Sequence, residues 1–272
     1  MPCPYTNLNQ KRSLMKILVC IKSVPDPMTT FRINAAGTGY EASGVVFGVN
    51  EYDWYAMEEA VRIKERFHDV EITAVTVGPA RAEAALRKAM TLGADRGLRI
   101  DDTDQPASDA LAVASLIAAW ARDRNFDLIL AGVMSQDLQR GQTGPMLAQL
   151  LGLPCATTVV AVKWAEDRQS LICERELEGG LRERIALPLP AILTVQSGLN
   201  TPRYASLTNA LRVKQLSLPS IPASSLGPVR KCEDLLRAFL PEPSGACEFL
   251  EGDLDRIAEQ LVAKVRQRVP VW

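Results

Sequence analysis

The chain has 272 residues, of which 47% are apolar and 23% charged, with a formal net charge of −1. That composition supplies a core for one large domain, or for one domain with an appendage. The balanced charge, without a basic block, argues against a nucleic-acid partner, and no run approaches the roughly 20 apolar residues of a membrane span.

The six cysteines (Cys3, Cys20, Cys155, Cys173, Cys232, Cys247) are scattered with no C-x-x-C pair. They read as reduced and mostly buried, neither a disulfide framework nor a zinc site, and the expected location is the cytoplasm. His68 is the only histidine and falls near the end of a helical pattern, which suits a surface residue. Imidazole catalysis and histidine-rich metal sites are thereby disfavoured.

Residues 1–14 are polar, contain Pro2 and Pro4, and lack the apolar core of a signal peptide. They are expected to form a flexible leader. Lys16 to Val24 is a nearly continuous apolar run ending at Pro25, as in a buried parallel strand. Thr30 to Val49 holds short β-prone pieces around Asn34–Gly39, a hairpin excursion. Gly37-x-Gly39-x-x-Ala42 matches a dinucleotide fingerprint only superficially, because no long strand precedes it and no helix comes at once after it; it reads as a turn.

Asn50 can cap the next helix, where Trp54, Met57 and Val61 recur at helical spacing. Glu71–Pro79 reads as a strand, 80–92 as a helix ended by Gly93, and Gly97–Ile100 as a short strand. Ser108 or Asp109 caps a helix over 109–124 that is apolar nearly all round, and a fourth strand comes next over 126–131. Strands alternating with helices predict an α/β fold with a doubly wound, mostly parallel sheet.

After Pro154 the rhythm changes. Thr157–Lys163, Ser170–Leu177, Leu181–Ala186 and Ala191–Val195 are strand-like without intervening helices, and Glu178-Gly179-Gly180 makes a hairpin turn. They predict an antiparallel extension of the sheet or a β-arm, so the main domain is placed at 15–218. Prolines and serines interrupt most patterns from Pro219 to Gly245, which reads as a linker. Asp253 can cap a last helix with Leu254, Ile257, Leu261 and Val265 along one face. The 219–272 unit then either docks on a neighbour or packs back on its own domain.

The richest stretch is the fourth strand and the residues after it, through Ser135, Gln136, Asp137, Leu138, Gln139, Arg140, Gly141, Gln142, Thr143, Gly144, Pro145 and Met146. A strand, a polar loop and a helix opening at Met146 would aim unpaired N–H groups and the helix dipole at one spot, where an anion can sit. Gln142 and Thr143 add donors, Arg140 adds a charge for a phosphate, and Asp137 could accept from ribose hydroxyls. No Walker A sequence occurs, and an ordinary turn with Thr143 as a helix cap explains the same residues.

Ile172-Cys173-Glu174-Arg175-Glu176-Leu177-Glu178-Gly179-Gly180-Leu181-Arg182-Glu183-Arg184-Ile185, then Pro188-Leu189-Pro190-Ala191-Ile192-Leu193-Thr194, closely resembles the signature of electron transfer flavoprotein beta subunits. Leu199-Asn200-Thr201-Pro202-Arg203-Tyr204 is similar to their partner-recognition loop. The helix Glu58-Glu59-Ala60-Val61-Arg62-Ile63-Lys64 after Asn50, Gly93-Ala94-Asp95-Arg96 and Gly141-Gln142-Thr143-Gly144 match in the same order. The resemblance runs from about Met15 to Lys214 and implies an adenine nucleotide alpha hydrolase-like domain. It also implies a heterodimer whose alpha subunit carries most of the contacts to a shared FAD, while the beta subunit holds a non-redox AMP. Electrons would pass from a flavoprotein dehydrogenase, an acyl-CoA dehydrogenase for instance, to a quinone-reducing oxidoreductase. The chain would then be an electron-carrier subunit and not a substrate-converting enzyme.

Carried onto this chain, the resemblance implies an AMP site drawing on Cys20, on Asn50, Glu51, Tyr52 and Asp53, on Val77, and on the stretch from Ser135 through Met146. Leu199 would be the exposed partner anchor; a leucine closing the core at a strand end is the plain alternative. A bifurcating relative with a second FAD and an NADH site is a second reading. Those relatives resemble Asp-Thr-x-Ala-Thr-Ser at a helix start, whereas Asp109-Ala110-Leu111-Ala112-Val113-Ala114 here lacks hydroxyls at Ala110 and Val113, which favours AMP. A third reading, a nucleotide-binding module of the universal-stress type without redox role, fits the β-arm and the recognition-like loop less well.

Overall fold

A computed structural model describes residues 14–229, 231–242 and 247–269. The leader, apart from the exposed Leu14, lies outside the described residues. In chain order the strands and helices are β1 (Met15–Cys20), β2 (Ser23–Pro25), β3 (Phe47–Val49), α1 (Glu51–Phe67), β4 (Val70–Val77), α2 (Ala82–Met90), β5 (Arg96–Asp101) and α3 (Ala110–Ala121). Next come β6 (Leu128–Gly132), α4 (Thr143–Leu151), β7 (Cys155–Trp164), β8 (Ser170–Glu176), β9 (Arg182–Pro188), β10 (Ala191–Val195), α5 (Leu207–Gln215), β11 (Ser220–Pro222) and α6 (Leu254–Arg268).

Nine strands form one sheet in the order β11-β5-β4-β1-β6-β10-β7-β8-β9, while β2 and β3 make a separate antiparallel pair. The α/β class is as expected. Side chains alternate across a strand, so Ile17 and Val19 of β1 enter the core under α1 and α2 while Leu18 enters the core under α3 and α4. Leu128 and Leu130 against Ile129 in β6, and Leu193 against Ile192 in β10, divide in the same way. Apolar runs without polar alternation thus arise because both sheet faces are covered.

Several expectations are corrected. The run expected to continue from Lys16 to Val24 breaks after Cys20, because Lys22 donates its N–H to Asp53 Oδ2 (2.7 Å) and β2 leaves to pair with β3. Helix α4 opens at Thr143 and not at Met146; a proline is tolerated in a first helical turn, whose N–H groups lack partners in any case. Of the four late strands, β7, β8 and β9 do run antiparallel, but β10 is parallel to both β6 and β7 and lies between them. An all-buried central strand such as β10 cannot be told from an arm strand by local pattern. The turn Glu178-Gly179-Gly180 is present, with Gly179 at φ 74° and Gly180 at φ 76°, and the excursion closes through the bridge between Ile33 and Tyr40.

Two elements stand where none was expected. Helix α5 is capped by Ser206, whose hydroxyl accepts from Asn209 N (3.1 Å). The segment from Pro219, read as linker, opens with β11 paired to β5, and Ala223 is buried against the α3 side of the core. Helix α6 is capped by Asp253 as expected but buries no residue, and Leu254, Leu261 and Val265 stay exposed. Of the described cysteines only Cys173 is buried; Cys20 and Cys155 are half-buried, and Cys232 and Cys247 are exposed because the last segment leaves the sheet. Among the described residues no helix is long and apolar enough to cross a membrane.

The first turn of α4 is pressed onto β10. A Cβ on Gly144 would lie 2.3 Å from Thr194 Cγ2, and Thr194 is itself buried. Overpacking a filled contact costs about 1–3 kcal/mol, so Gly144→Ala is expected to lower the denaturant midpoint by that order. An unchanged midpoint would show that α4 can slide off the strand.

Candidate functional site

The chain runs β1, β4, β5 in one direction across the sheet and then returns to place β6 on the other side of β1. The carboxyl ends of β1, β4 and β6 therefore surround the point where strand order reverses, the usual place for a ligand in a doubly wound sheet. A cleft of about 260 Å³ lies there. Its walls include the apolar Val75, Val77, Val113 and Ile117, the ends of β1 and β6 at Cys20 and Gly132, and the start of α4 from Gly141 to Gly144.

The cleft is held open by one carboxylate. Asp53, buried in the first turn of α1, accepts from Lys22 N (2.7 Å), Asn50 Nδ2 (3.0 Å) and Gly132 N (3.2 Å). Burial pushes its pKa up to about 7 against the lowering effect of those donors. Gly132 is required beside it, since a Cβ there would meet Asp53 Oδ1 at 2.4 Å and Tyr52 Cβ at 2.7 Å. Asn50 occupies the N-cap position of α1 but makes no side-chain cap bond. Its amide instead bridges to the loop after β6, donating to Met134 O (2.9 Å) and accepting from Gln136 N (3.0 Å). Gln136 returns the link by accepting from Glu51 N (3.2 Å). Burial, aided by the Asp53 charge, pushes the Cys20 thiol up to about 12, so it stays neutral in the cleft wall.

Donors for an anion come from α4. Gln142 stands at its N-cap position without a side-chain cap bond, so the first-turn N–H groups of Thr143 and Gly144 have no acceptor within the helix. The neighbouring helix differs: Asp109 caps α3 by accepting from Ala112 N (2.7 Å). On the rim Lys22 Nζ binds Asp137 Oδ1 (2.7 Å) and Ser135 Oγ (3.0 Å). Burial opposes ionisation of Asp137, but the Lys22 and Ser135 bonds outweigh it and hold its pKa below the usual carboxylate value. Arg140 is ion-paired with Glu233.

Cys20, Asn50, Asp53, Val77, Ser135, Leu138, Arg140, Gly141, Gln142, Thr143 and Gly144 all line this cleft. Glu51, Gln136 and Asp137 are outside the lining and reach it through the bonds just described, and Tyr52 backs Gly132. Gln139 takes a φ of 53° and donates to Ser135 O (2.8 Å), shaping the loop. Pro145 and Met146 lie within α4 behind its first donors, and Met146 packs on the core. Lys22, Arg81, Met134 and the Gly78-Pro79 turn line the cleft without having been singled out. Each lies just beyond a strand end, which is the one signal that marks them. Asp109, expected as a helix cap and as the first residue of the run compared with the second-FAD relatives, also lines it.

The loop after β10 is pinned to α1. Arg203 forms an ion pair with the buried Glu58 (2.9 Å), and Asn200 Nδ2 donates to Tyr55 O (3.0 Å) and Glu59 Oε2 (3.1 Å). Leu199 is half-buried and packs on the core, less exposed than its glycine and proline flanks suggest, while Tyr204 is 97% exposed.

The family described as "Electron transfer flavoprotein domain" matches residues 38–225. This chain belongs to the electron transfer flavoprotein family. Curated relatives named electron transfer flavoprotein subunit beta include that of Methylophilus methylotrophus, 32% identical over 93% of this chain and 98% of the relative. That of Bacillus subtilis is 37% identical over 84% and 89%, and that of Sus scrofa 35% identical over 93% and 97%. The match with the family covers the cleft, α1, the antiparallel strands and the pinned loop, and so reaches every element that builds the site except β1 and β2.

Asp53 also yields a pH dependence. A carboxyl whose folded pKa is raised from 3.8 to about 7 binds its proton more tightly folded than unfolded. Its stabilising contribution is complete below about pH 4 and is lost as pH rises through about 7. Asp53→Asn is expected to flatten the stability–pH curve between pH 4 and 7. Because one donor loses its acceptor, it should also lower stability by about 1–3 kcal/mol. A variant with an unchanged slope in a pH series of denaturant melts would remove Asp53 from this role.

Proposed function

We propose that the chain is the beta subunit of a heterodimeric electron transfer flavoprotein, binding AMP structurally in the cleft and helping an alpha subunit to hold FAD. The observation that carries the reading is the uncapped first turn of α4 opening into a cleft at the sheet's reversal point. The Thr143 and Gly144 amides, with Gln142 beside them, would hold the phosphate. Val75, Val77, Val113 and Ile117 would enclose the base, and the Asp53 and Asn50 network keeps those walls in register. The shared FAD supplies the electron-carrying chemistry when bound, while this chain's part is to shape the cavity and present partner surfaces.

In this reading electrons pass from a flavoprotein dehydrogenase, an acyl-CoA dehydrogenase for instance, to a quinone-reducing oxidoreductase, in the cytoplasm. Leu199, in a loop pre-shaped by Asn200 and Arg203, is the partner-recognition residue, and exposed α6 docks on the alpha subunit. A second flavin in place of AMP fits less well, because Ala110 and Val113, which line the cleft at the start of α3, offer no hydroxyl to a flavin phosphate.

Two measurements test this. Acid release of ligands from the co-purified heterodimer is expected to give one FAD and one AMP; two FAD and no AMP, or ATP on an isolated chain, would overturn the reading. Leu199→Ala is expected to slow electron transfer from a dehydrogenase about tenfold or more with nucleotide content unchanged, since one buried leucine is worth about 1.5–3 kcal/mol. Lost nucleotide or aggregated protein would instead mark it as a core residue.

A further inference from the structure

The stretch 231–242 has no regular structure, yet it is fastened to two residues of the cleft lining, Asp109 and Arg140. Asp109 lines the cleft and is buried; its Oδ1 caps α3, while its Oδ2 accepts from Cys232 N (2.6 Å) and Glu233 N (3.1 Å). Farther along, Ala238 N donates to Gly37 O (2.7 Å) in the excursion. With its backbone fixed at Asp109, Glu233 extends its carboxylate to Arg140, which stands three residues before α4 on the same cleft wall.

The three cations in the cleft lining are then all engaged by the chain itself. Lys22 is held by Asp137, Arg140 by Glu233, and Arg81 lies 4.8 Å over the Phe47 ring. Beside α4, where Arg140 is already paired, the cleft offers an anion the helix dipole and neutral amides, which suit one phosphate group. A second phosphate would bring further negative charge toward an arginine already neutralised and toward the carboxylate that neutralises it. Selectivity built from such a repulsive element is a common device.

We propose that Glu233, strapped to Asp109 and paired with Arg140, is a specificity-determining residue that restricts the cleft to nucleoside monophosphates and excludes diphosphates. The proposal rests on the nucleotide-binding reading and adds the charge rule to it. Once Glu233 is neutralised, Arg140 becomes available for a charge-assisted, bidentate bond to a second phosphate.

The test compares AMP and ADP binding by calorimetry to the co-expressed heterodimer after nucleotide exchange, in wild type, Glu233→Gln, and the double variant Glu233→Gln with Arg140→Gln. Wild type is expected to prefer AMP, and Glu233→Gln to raise the ADP-to-AMP affinity ratio about tenfold, the worth of one strong charge-assisted bond. The double variant should lose that gain. A wild type that binds AMP, with a ratio unchanged in Glu233→Gln or a gain retained without Arg140, overturns the proposal and leaves the nucleotide reading standing. A wild-type heterodimer that binds neither nucleotide overturns both.

Discussion

The geometry of this protein depends on a carboxylate buried where three pieces of chain meet. Asp53 takes N–H groups from the segment beyond β1, from the end of β6 and from the Asn50 side chain at the start of α1. Strand ends at a sheet's reversal point diverge, so their last backbone donors have no neighbouring strand to accept them. A short acidic side chain from the next helix supplies that acceptor, and burial of unpaired amides is avoided. The raised pKa of Asp53 is the electrostatic consequence, because the desolvation penalty exceeds what three neutral donors return.

The cleft is a product of that junction. Holding β1 and β6 apart at their ends leaves room for a ligand, and Asn50 ties the loop after β6 to α1 so that Gly141–Gly144 face the opening. The two helix N-termini bordering it are treated oppositely. Helix α3 has its own carboxylate, Asp109, whereas α4 keeps its first donors available. One helix start is thereby a structural anchor that also fastens the 231–242 segment, and the other leaves its first backbone donors without a side-chain cap at the cleft. Both helix starts lie within the stretch that matches the electron transfer flavoprotein family.

The surface carries a second division. The loop after β10 is rigid for a structural reason: Arg203 neutralises Glu58, which is buried in α1 and would otherwise be an unpaired charge. A loop held this way can present a preformed face that includes Tyr204, and less ordering entropy is then lost on contact. Helix α6 lies at the other extreme, amphipathic yet burying no residue within this chain.

Much of the fold was legible in local pattern. Apolar runs bounded by glycine and proline located β1, β4, β5 and β6, and helical spacing located α1, α3 and α6, because period and capping chemistry are properties of short segments. The cleft was legible as far as its loop, since a strand leading into a glycine-bearing helix start exposes backbone donors whatever surrounds it. Tertiary structure alone decided the placement of β10 between β6 and β7, the use of Asn50 as a bridge where a cap was expected, and the pairing of Arg140 with Glu233. Those depend on which residues meet across 84 to 86 positions for Asn50 and its partners in the loop after β6. Separations of that size leave no trace in local periodicity, because pairing of distant polar groups is set by the packing that brings them together.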